Sequence, residues 1–516
     1  MAKNSNGLLC KLGIVKSPGA AVPHRKNTKD CVTVDMPVPA KVTMVMQQHI
    51  GAPCMPLVQV GDRVKRGQKI GDAEGLCVPV HASVSCTVVA IEPRKVVKID
   101  SILMQSGAKT QVVIIESDGQ QTIDPSIKPP VIESEADLVK AARDSGLVGL
   151  GGAGFPTHIK INPNPAVKAN IDYLLINAAE CEPYLTPDVR EILENAEYVV
   201  KGMELIAKHL EVKNAVIGIE DNKPEAIKLM TELLAQVKVD GINFKVETLP
   251  SRYPQGAEKV LIDQCTGREV PPGKLPSDVG CVVMNVTSIA VLAQYVETGM
   301  PLLTKRLTVD GSAITKPMNV RVPIGTSVKD VIEFCGGYKG TPKKLISGGP
   351  MMGLALVTDD FPILKQNNGL LVFGETETQS TPTTACIRCG ACLNSCPFGL
   401  APAAIAAAYN RKDTEALKAF SVESCMECGC CSYVCPANRP LVQINKLSKQ
   451  FLKEEKMKDK ACHCEPVRRP VWQSVLQNVQ ILTEMRKKLL VSGDADCHVA
   501  KAPRNDTISL VTSLTS

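Results

Sequence analysis

Two cysteine ladders of identical spacing lie 39 residues apart in the C-terminal part of this 516-residue chain: Cys386, Cys389, Cys392, Cys396-Pro397, then Cys425, Cys428, Cys431, Cys435-Pro436. Each reads C-x-x-C-x-x-C-x-x-x-C-P, the spacing that holds [4Fe–4S] clusters. Three thiolates on one tight loop reach three irons of one cubane, whereas the fourth opens a helix directed elsewhere, so ligation is expected to cross between ladders. Cys386, Cys389, Cys392 and Cys435 are assigned to one cluster, and Cys425, Cys428, Cys431 and Cys396 to the other. Gly390 and Gly429 allow the backbone close to the sulfides. Zinc sites draw their ligands from separated C-x-x-C pairs, a pattern that two repeated ladders with trailing prolines do not follow. Cys430, inside the second ladder, is read as a buried bystander.

The remaining composition narrows the setting. Twenty-one cysteines in 516 residues are too sparse for a disulfide scaffold, and eight already have an iron-binding use, which points to a reducing, cytoplasmic compartment. Residues 1–10 carry no apolar stretch behind a basic start, so no signal peptide is expected. The longest apolar run, 281–295, is interrupted by Asn285, Thr287, Ser288 and Gln294 and falls short of a membrane span; any membrane association is then peripheral. A net charge of +6 and 3% aromatic residues give nucleic-acid binding no support.

Along the chain, residues 38–124 are β-rich and punctuated by glycine. Val60-Gly61-Asp62 to Gly71 and Pro79-Val80-His81-Ala82-Ser83-Val84-Ser85 resemble the two halves of biotinyl and lipoyl carrier domains. The hairpin between them, 72–77, has no lysine to modify, so the module is expected to be structural. His81, without a partner in the sequence, is read as a packing residue. After a proline-containing linker, 125–132, strands at 173–177, 215–219, 244–249 and 281–284 alternate with helices at 187–210, 224–237, 255–264 and 287–298, behind a helix at 133–145. Such alternation predicts an α/β layer with a mostly parallel sheet, whose ligands bind beyond the carboxyl ends of the strands. At its front lies Gly146-Leu147-Val148-Gly149-Leu150-Gly151-Gly152-Ala153-Gly154-Phe155-Pro156-Thr157-His158-Ile159-Lys160. Its amides can face an anion, although no strand precedes it as a dinucleotide fingerprint requires.

The glycine loop resembles the flavin loop of the NADH-oxidising subunit of respiratory complex I, and Asn177-Ala178-Ala179-Glu180-Cys181-Glu182-Pro183 is similar to that family's acidic strand-end motif. With Gln48-His49-Ile50-Gly51-Ala52-Pro53, Tyr253-Pro254-Gln255-Gly256-Ala257-Glu258-Lys259 and the two ferredoxin-type ladders, the order resembles the RnfC-like family of the Rnf electron-transport complex from about 38 to 455. The resemblance implies a multidomain α/β and α+β chain: an N-terminal extension (1–37), a barrel-sandwich β module (38–124), a complex-I-type FMN/NAD(H) domain (133–300), an SLBB ubiquitin-like spacer (304–356), a helical two-cluster ferredoxin domain (376–455) and a tail (456–516). It implies FMN contacts from Gly149, Gly151, Gly152, Gly154 and Lys160, with Asn177 and Asn285 at strand ends and Glu180 in the acidic motif. Phe155, Glu182 and Glu258 would face NAD(H).

Two positions depart from the family pattern: Ser17-Pro18-Gly19 to His24 replaces a Gly-Gly-x-His-Pro phrase, and Cys86 stands where glycine is usual. No motif assigns a role to Cys54, Cys86 or Cys430. In the tail, Val471, Val475, Val479, Leu482, Met485 and Leu489 form a helical stripe, and Cys462-His463-Cys464 is too short a set for a metal site. A flavin is the converter that two-electron hydride and one-electron clusters require, and no catalytic side chain is called for. The implied function is electron transfer between NAD(H), FMN and two [4Fe–4S] clusters, with a ferredoxin-type carrier and the other subunits of an Rnf-like translocating complex as partners. Alternatives are a soluble relative feeding an amino-acid reductase such as proline reductase, or cobalamin reduction, and a non-catalytic electron relay.

Overall fold

The computed structural model describes residues 19–95, 109–378 and 381–462. The apolar tail stripe, His463-Cys464, Ser17-Pro18 and residues 1–10 lie outside them.

In the N-terminal module the strands Lys41–Val45, Lys109–Ser117, Cys86–Lys95 and Arg63–Val64 form an antiparallel sheet. It faces a smaller sheet of Met55–Pro56, Lys69–Asp72 and Val80–His81. Val42, Met44, Ile70, Val80, Val84, Val88, Val113 and Ile115 fill the space between them, as alternation in half-buried strands dictates. Cys86 adopts φ +141° at the head of its strand, a conformation that suits glycine and strains a side chain.

The central layer is a four-stranded parallel sheet in the order Asn243–Leu249, Asn214–Glu220, Tyr173–Ala178, Cys281–Asn285. Each expected strand is present, its ends moved by at most one residue. The helix expected from 255 begins at Glu258, which frees 253–257 as a loop at the strand ends. Helices Pro187–Leu210 and Val286–Thr298 pack together so closely that a Cβ on Gly202 would meet Ile289 O at 2.3 Å. Asn285 ends its strand and caps the following helix by accepting the Ser288 amide at 3.2 Å.

The ubiquitin-like sheet runs Val34–Asp35, Met318–Pro323, Thr304–Asp310, Gly369–Phe373, Lys344–Ser347, Leu354–Leu356. Two of its members lie outside the span expected from sequence. Gly369–Phe373, buried throughout, holds a central position. Val34–Asp35 adds an edge strand from the N-terminal segment, so the described part of that segment belongs to the packed structure. The cluster domain repeats one backbone device: Gly390 (φ +75°) and Gly429 (φ +83°) each open a four-residue helix, Ala391–Asn394 and Cys430–Tyr433. Leu400, Ile405, Ala408, Leu417 and Val422 form the core beside them. A second unit begins at Lys453 and is described to Cys462, all of it helical. Among the described residues no helix is long and apolar enough to cross a membrane.

Candidate functional site

Beyond the carboxyl ends of Tyr173–Ala178 and Cys281–Asn285 opens a cavity of 460 Å³, where an open α/β sheet places its ligands. Gly151, Gly152, Asn177, Glu180, Glu182 and Asn285 line it, together with Tyr253, Gly256, the 348–353 loop and Met426-Glu427. The glycine loop is closed by Gly149 N donating to Phe155 O at 2.8 Å and pinned by Leu150 N on Ser288 Oγ at 3.0 Å. Gly154 takes φ +69°. Gly151 is exposed, and a Cβ there would lie 2.5 Å from Asn285 Nδ2; beyond Gly152 the space is open. A loop stripped of side chains against a polar strand end fits a planar, anionic cofactor such as FMN.

Asn177 Nδ2 donates to Gly256 O at 2.8 Å, and Asn285 Nδ2 to Asp188 Oδ2 at 2.9 Å. Both asparagines thus hold the cavity wall. Glu180, at φ +50°, accepts the Asp188 amide at 2.6 Å through Oε1, while its buried Oε2 has no partner. Burial raises its pKa to about 7, against the pull of Lys26. The Lys26 ammonium donates to the carbonyls of Glu180, Glu182 and Leu185 at 2.7, 2.9 and 2.5 Å. Nothing in the sequence marks this lysine, since it lies in a short irregular segment far from the loop it holds.

The expected nicotinamide residues are placed differently from one another. Glu182 accepts the amides of Met351 at 3.0 Å and Met352 at 2.8 Å, one on each oxygen, and burial raises its pKa to about 7. Its carboxylate fastens the ubiquitin-like domain to the cavity. Glu258 pairs with Lys160, Nζ to Oε1 3.1 Å, and the same ammonium donates to Val283 O at 2.9 Å. Two residues expected on different cofactors therefore neutralise each other. Neither they nor Gly149, Gly154 and Phe155 line the 460 Å³ cavity.

The eight ladder cysteines fall into two groups, each drawn from both ladders. Cys386, Cys389, Cys392 and Cys435 surround one cavity of 260 Å³. Cys396, Cys425, Cys428 and Cys431 surround a narrower one. Each group offers four thiolates and a space between them, the donor set a [4Fe–4S] cluster needs. The groups differ in access: Cys386 and Cys389 are exposed, whereas Cys428 and Cys431 are buried. Asn445 Nδ2 donates to Cys425 Sγ, and Leu400 N to Cys396 Sγ, both at 3.4 Å. Cys430 is wholly buried beside the second group, its Sγ 4.0 Å from Tyr253 O. Tyr253, a wall of the 460 Å³ cavity, donates its hydroxyl to Cys428 O at 2.7 Å.

Four family descriptions match in chain order: the RnfC barrel sandwich hybrid domain at 16–120, the Nuo51 FMN-binding domain at 142–294, the SLBB domain at 306–355 and a 4Fe-4S dicluster domain at 382–442. The C component of the proton-translocating ferredoxin:NAD(+) oxidoreductase complex of Clostridium ljungdahlii is 44% identical over 71% of this chain and 78% of that one. Its Na(+)-translocating counterpart in Acetobacterium woodii is 42% identical over 75% of this chain and 86% of its own length. The C component of an ion-translocating oxidoreductase complex of Rhodobacter capsulatus is 37% identical over 84% and 82%.

Proposed function

The chain belongs to the RnfC family, the C components of Rnf complexes, and from that membership we propose an order for its electron path: the glycine-loop cavity, then the cluster of Cys396, Cys425, Cys428 and Cys431, then that of Cys386, Cys389, Cys392 and Cys435. It is an electron-transfer oxidoreductase subunit with FMN-binding and dicluster domains, and the other Rnf subunits are its partners. FMN, when bound, exchanges hydride with nicotinamide and single electrons with iron–sulfur clusters.

The observation that carries the order is the shared wall. Tyr253 and Met426-Glu427 line the 460 Å³ cavity, and Tyr253 is hydrogen-bonded to Cys428. Cys386 and Cys389 instead face solvent, where a partner carrying single electrons can approach. Of the glycine loop, Gly151 and Gly152 line the cavity and are proposed to face FMN, Gly149 and Gly154 to shape the loop behind them, with Asn177 and Asn285 fixing the wall. Glu180 Oε2, buried without a partner, is the acceptor left for a ligand N–H or O–H. Glu182 would meet a nicotinamide ribose while its oxygens hold the Met351 and Met352 amides, and Glu258 while one of its oxygens pairs with Lys160. Anchoring to the cytoplasmic face of the membrane is proposed to come from the partner subunits.

Electron paramagnetic resonance of NADH-treated holoprotein tests the order. Cys386→Ala should leave the second-ladder cluster reducible by NADH. Cys428→Ala should leave the first-ladder cluster reducible by dithionite but at least tenfold slower with NADH. The opposite pattern would reverse the assignment.

A further inference from the structure

Away from the ladders, two more cysteines meet a histidine inside the barrel module. Cys54 and Cys77 bring their sulfurs to 3.4 Å, and these sulfurs and a ring nitrogen of His49 all lie within 4.8 Å of one another. The three side chains are sealed, with Cys54 2%, Cys77 0% and His49 2% exposed. The backbone holds them there: Cys54 N donates to Met46 O at 2.8 Å, and Ala52 N to Leu76 O, beside Cys77, at 2.9 Å.

The histidine is not satisfied by the protein alone. Its Nε2 lies 3.0 Å from Ala52 O and 3.2 Å from Val78 N, and one nitrogen cannot both donate to the first and accept from the second. Nδ1 is buried with no partner. Either tautomer leaves a polar contact unmade in a dry interior. A ligating histidine commonly donates its other N–H to a backbone carbonyl, the relation that Ala52 O offers here.

We propose that His49, Cys54 and Cys77 form a binding site for a thiophilic d¹⁰ cation, zinc(II) or copper(I). Two thiolates and an imidazole are donors of the kind these ions prefer. A zinc about 2.3 Å from each sulfur needs them to open to about 3.8 Å for a tetrahedral angle, a small change from 3.4 Å. Gly71 brings a further soft donor near: a Cβ there would strike Met46 Sδ at 2.6 Å and Cys54 Cβ at 3.3 Å. Binding a divalent ion replaces the two thiol protons, which leave to solvent, so no electrons are exchanged.

Residues flanking the site are tied to both ends of the glycine loop. Ile50, next to His49, donates its amide to Gly154 O at 3.2 Å; Lys365 joins Pro79 O to Gly146 O, both at 2.7 Å. The ion would thus act as a staple beneath that loop. This consequence rests on the flavin reading, whereas the site itself does not.

Element-specific X-ray absorption at the zinc and copper edges, on holoprotein as isolated, tests the proposal without interference from iron. One equivalent per chain with two sulfurs and at least one nitrogen around zinc, or the same mixed shell around copper, is expected. Cys77→Ser and His49→Ala should lower that metal at least tenfold while about eight irons remain. Absence of both metals, a Cys54–Cys77 disulfide in the mapped peptides, or an all-sulfur zinc shell unchanged in the variants would each overturn it. Failure of the flavin assignment would appear separately, as metal-loaded protein that retains no FMN.

Discussion

Glu180 holds one oxygen on the Asp188 amide and keeps the other buried without a partner. Because burial raises its pKa from 4.5 to about 7, the folded chain binds this proton more tightly than the unfolded chain does. Its contribution to stability is then complete below pH 4.5 and is lost as pH rises through about 7. Glu180→Gln should flatten this dependence. Between pH 5 and 8 the apparent melting temperature of the unmodified protein should fall more steeply than that of the variant, and parallel curves would remove the assignment. Cys86 presents the converse case of strain without charge. At φ +141° its side chain costs about 1 kcal/mol, so Cys86→Gly should stabilise the barrel module by roughly that amount, read as slower hydrogen exchange in the strand Cys86–Lys95. Unchanged exchange would show that the surrounding sheet already absorbs the strain.

At the scale of elements, long periodic segments were legible and short irregular ones were not. Three of the four parallel strands are apolar runs, the edge strand Asn243–Leu249 alternates apolar and polar residues, and amphipathic helices separate them, so period and composition sufficed to locate them. The strand Gly369–Phe373 is just as apolar, but it follows a polar loop with no helix between, and its partners lie far away in sequence. The cysteine sets stood out because the same spacing repeats in both ladders. What the acidic residues do was not, because Glu182 and Glu258 meet Met351-Met352 and Lys160 only in the folded chain. Lys26 was invisible for the same reason. Its ammonium gathers three carbonyls of the 180–185 turn, and these would be left without their donor in Lys26→Met. Losing charge-assisted bonds at a partly buried turn should cost about 2–4 kcal/mol. Because the turn is a cavity wall, FMN retained on gel filtration should fall at least tenfold while iron stays near eight per chain. Full flavin retention would show that the wall does not depend on this contact.

On the scale of the whole molecule, the proposed path would end at exposed thiols, Cys386 and Cys389, and that exposure bears on how the chain meets its complex. Arg388 is exposed and Arg439 half-buried near Cys386, in a chain of net charge +6. A docking surface around the outer cluster would therefore include ion pairs, which salt screens over about 10 Å at 0.1 M. No described helix is long and apolar enough to cross a membrane, and retention through contacts with the partner subunits is the arrangement a salt wash tests. Membranes prepared at low ionic strength should carry the chain, and a wash at about 1 M salt or in a mild chaotrope should release it with its eight irons in place. Retention through that wash would require an anchor beyond these contacts. Recovery wholly in the soluble fraction, bound to a reductase, would transfer the electron path from the ion-translocating complex to a soluble acceptor, while leaving the order of cavity, inner cluster and outer cluster open to the same spectroscopic test.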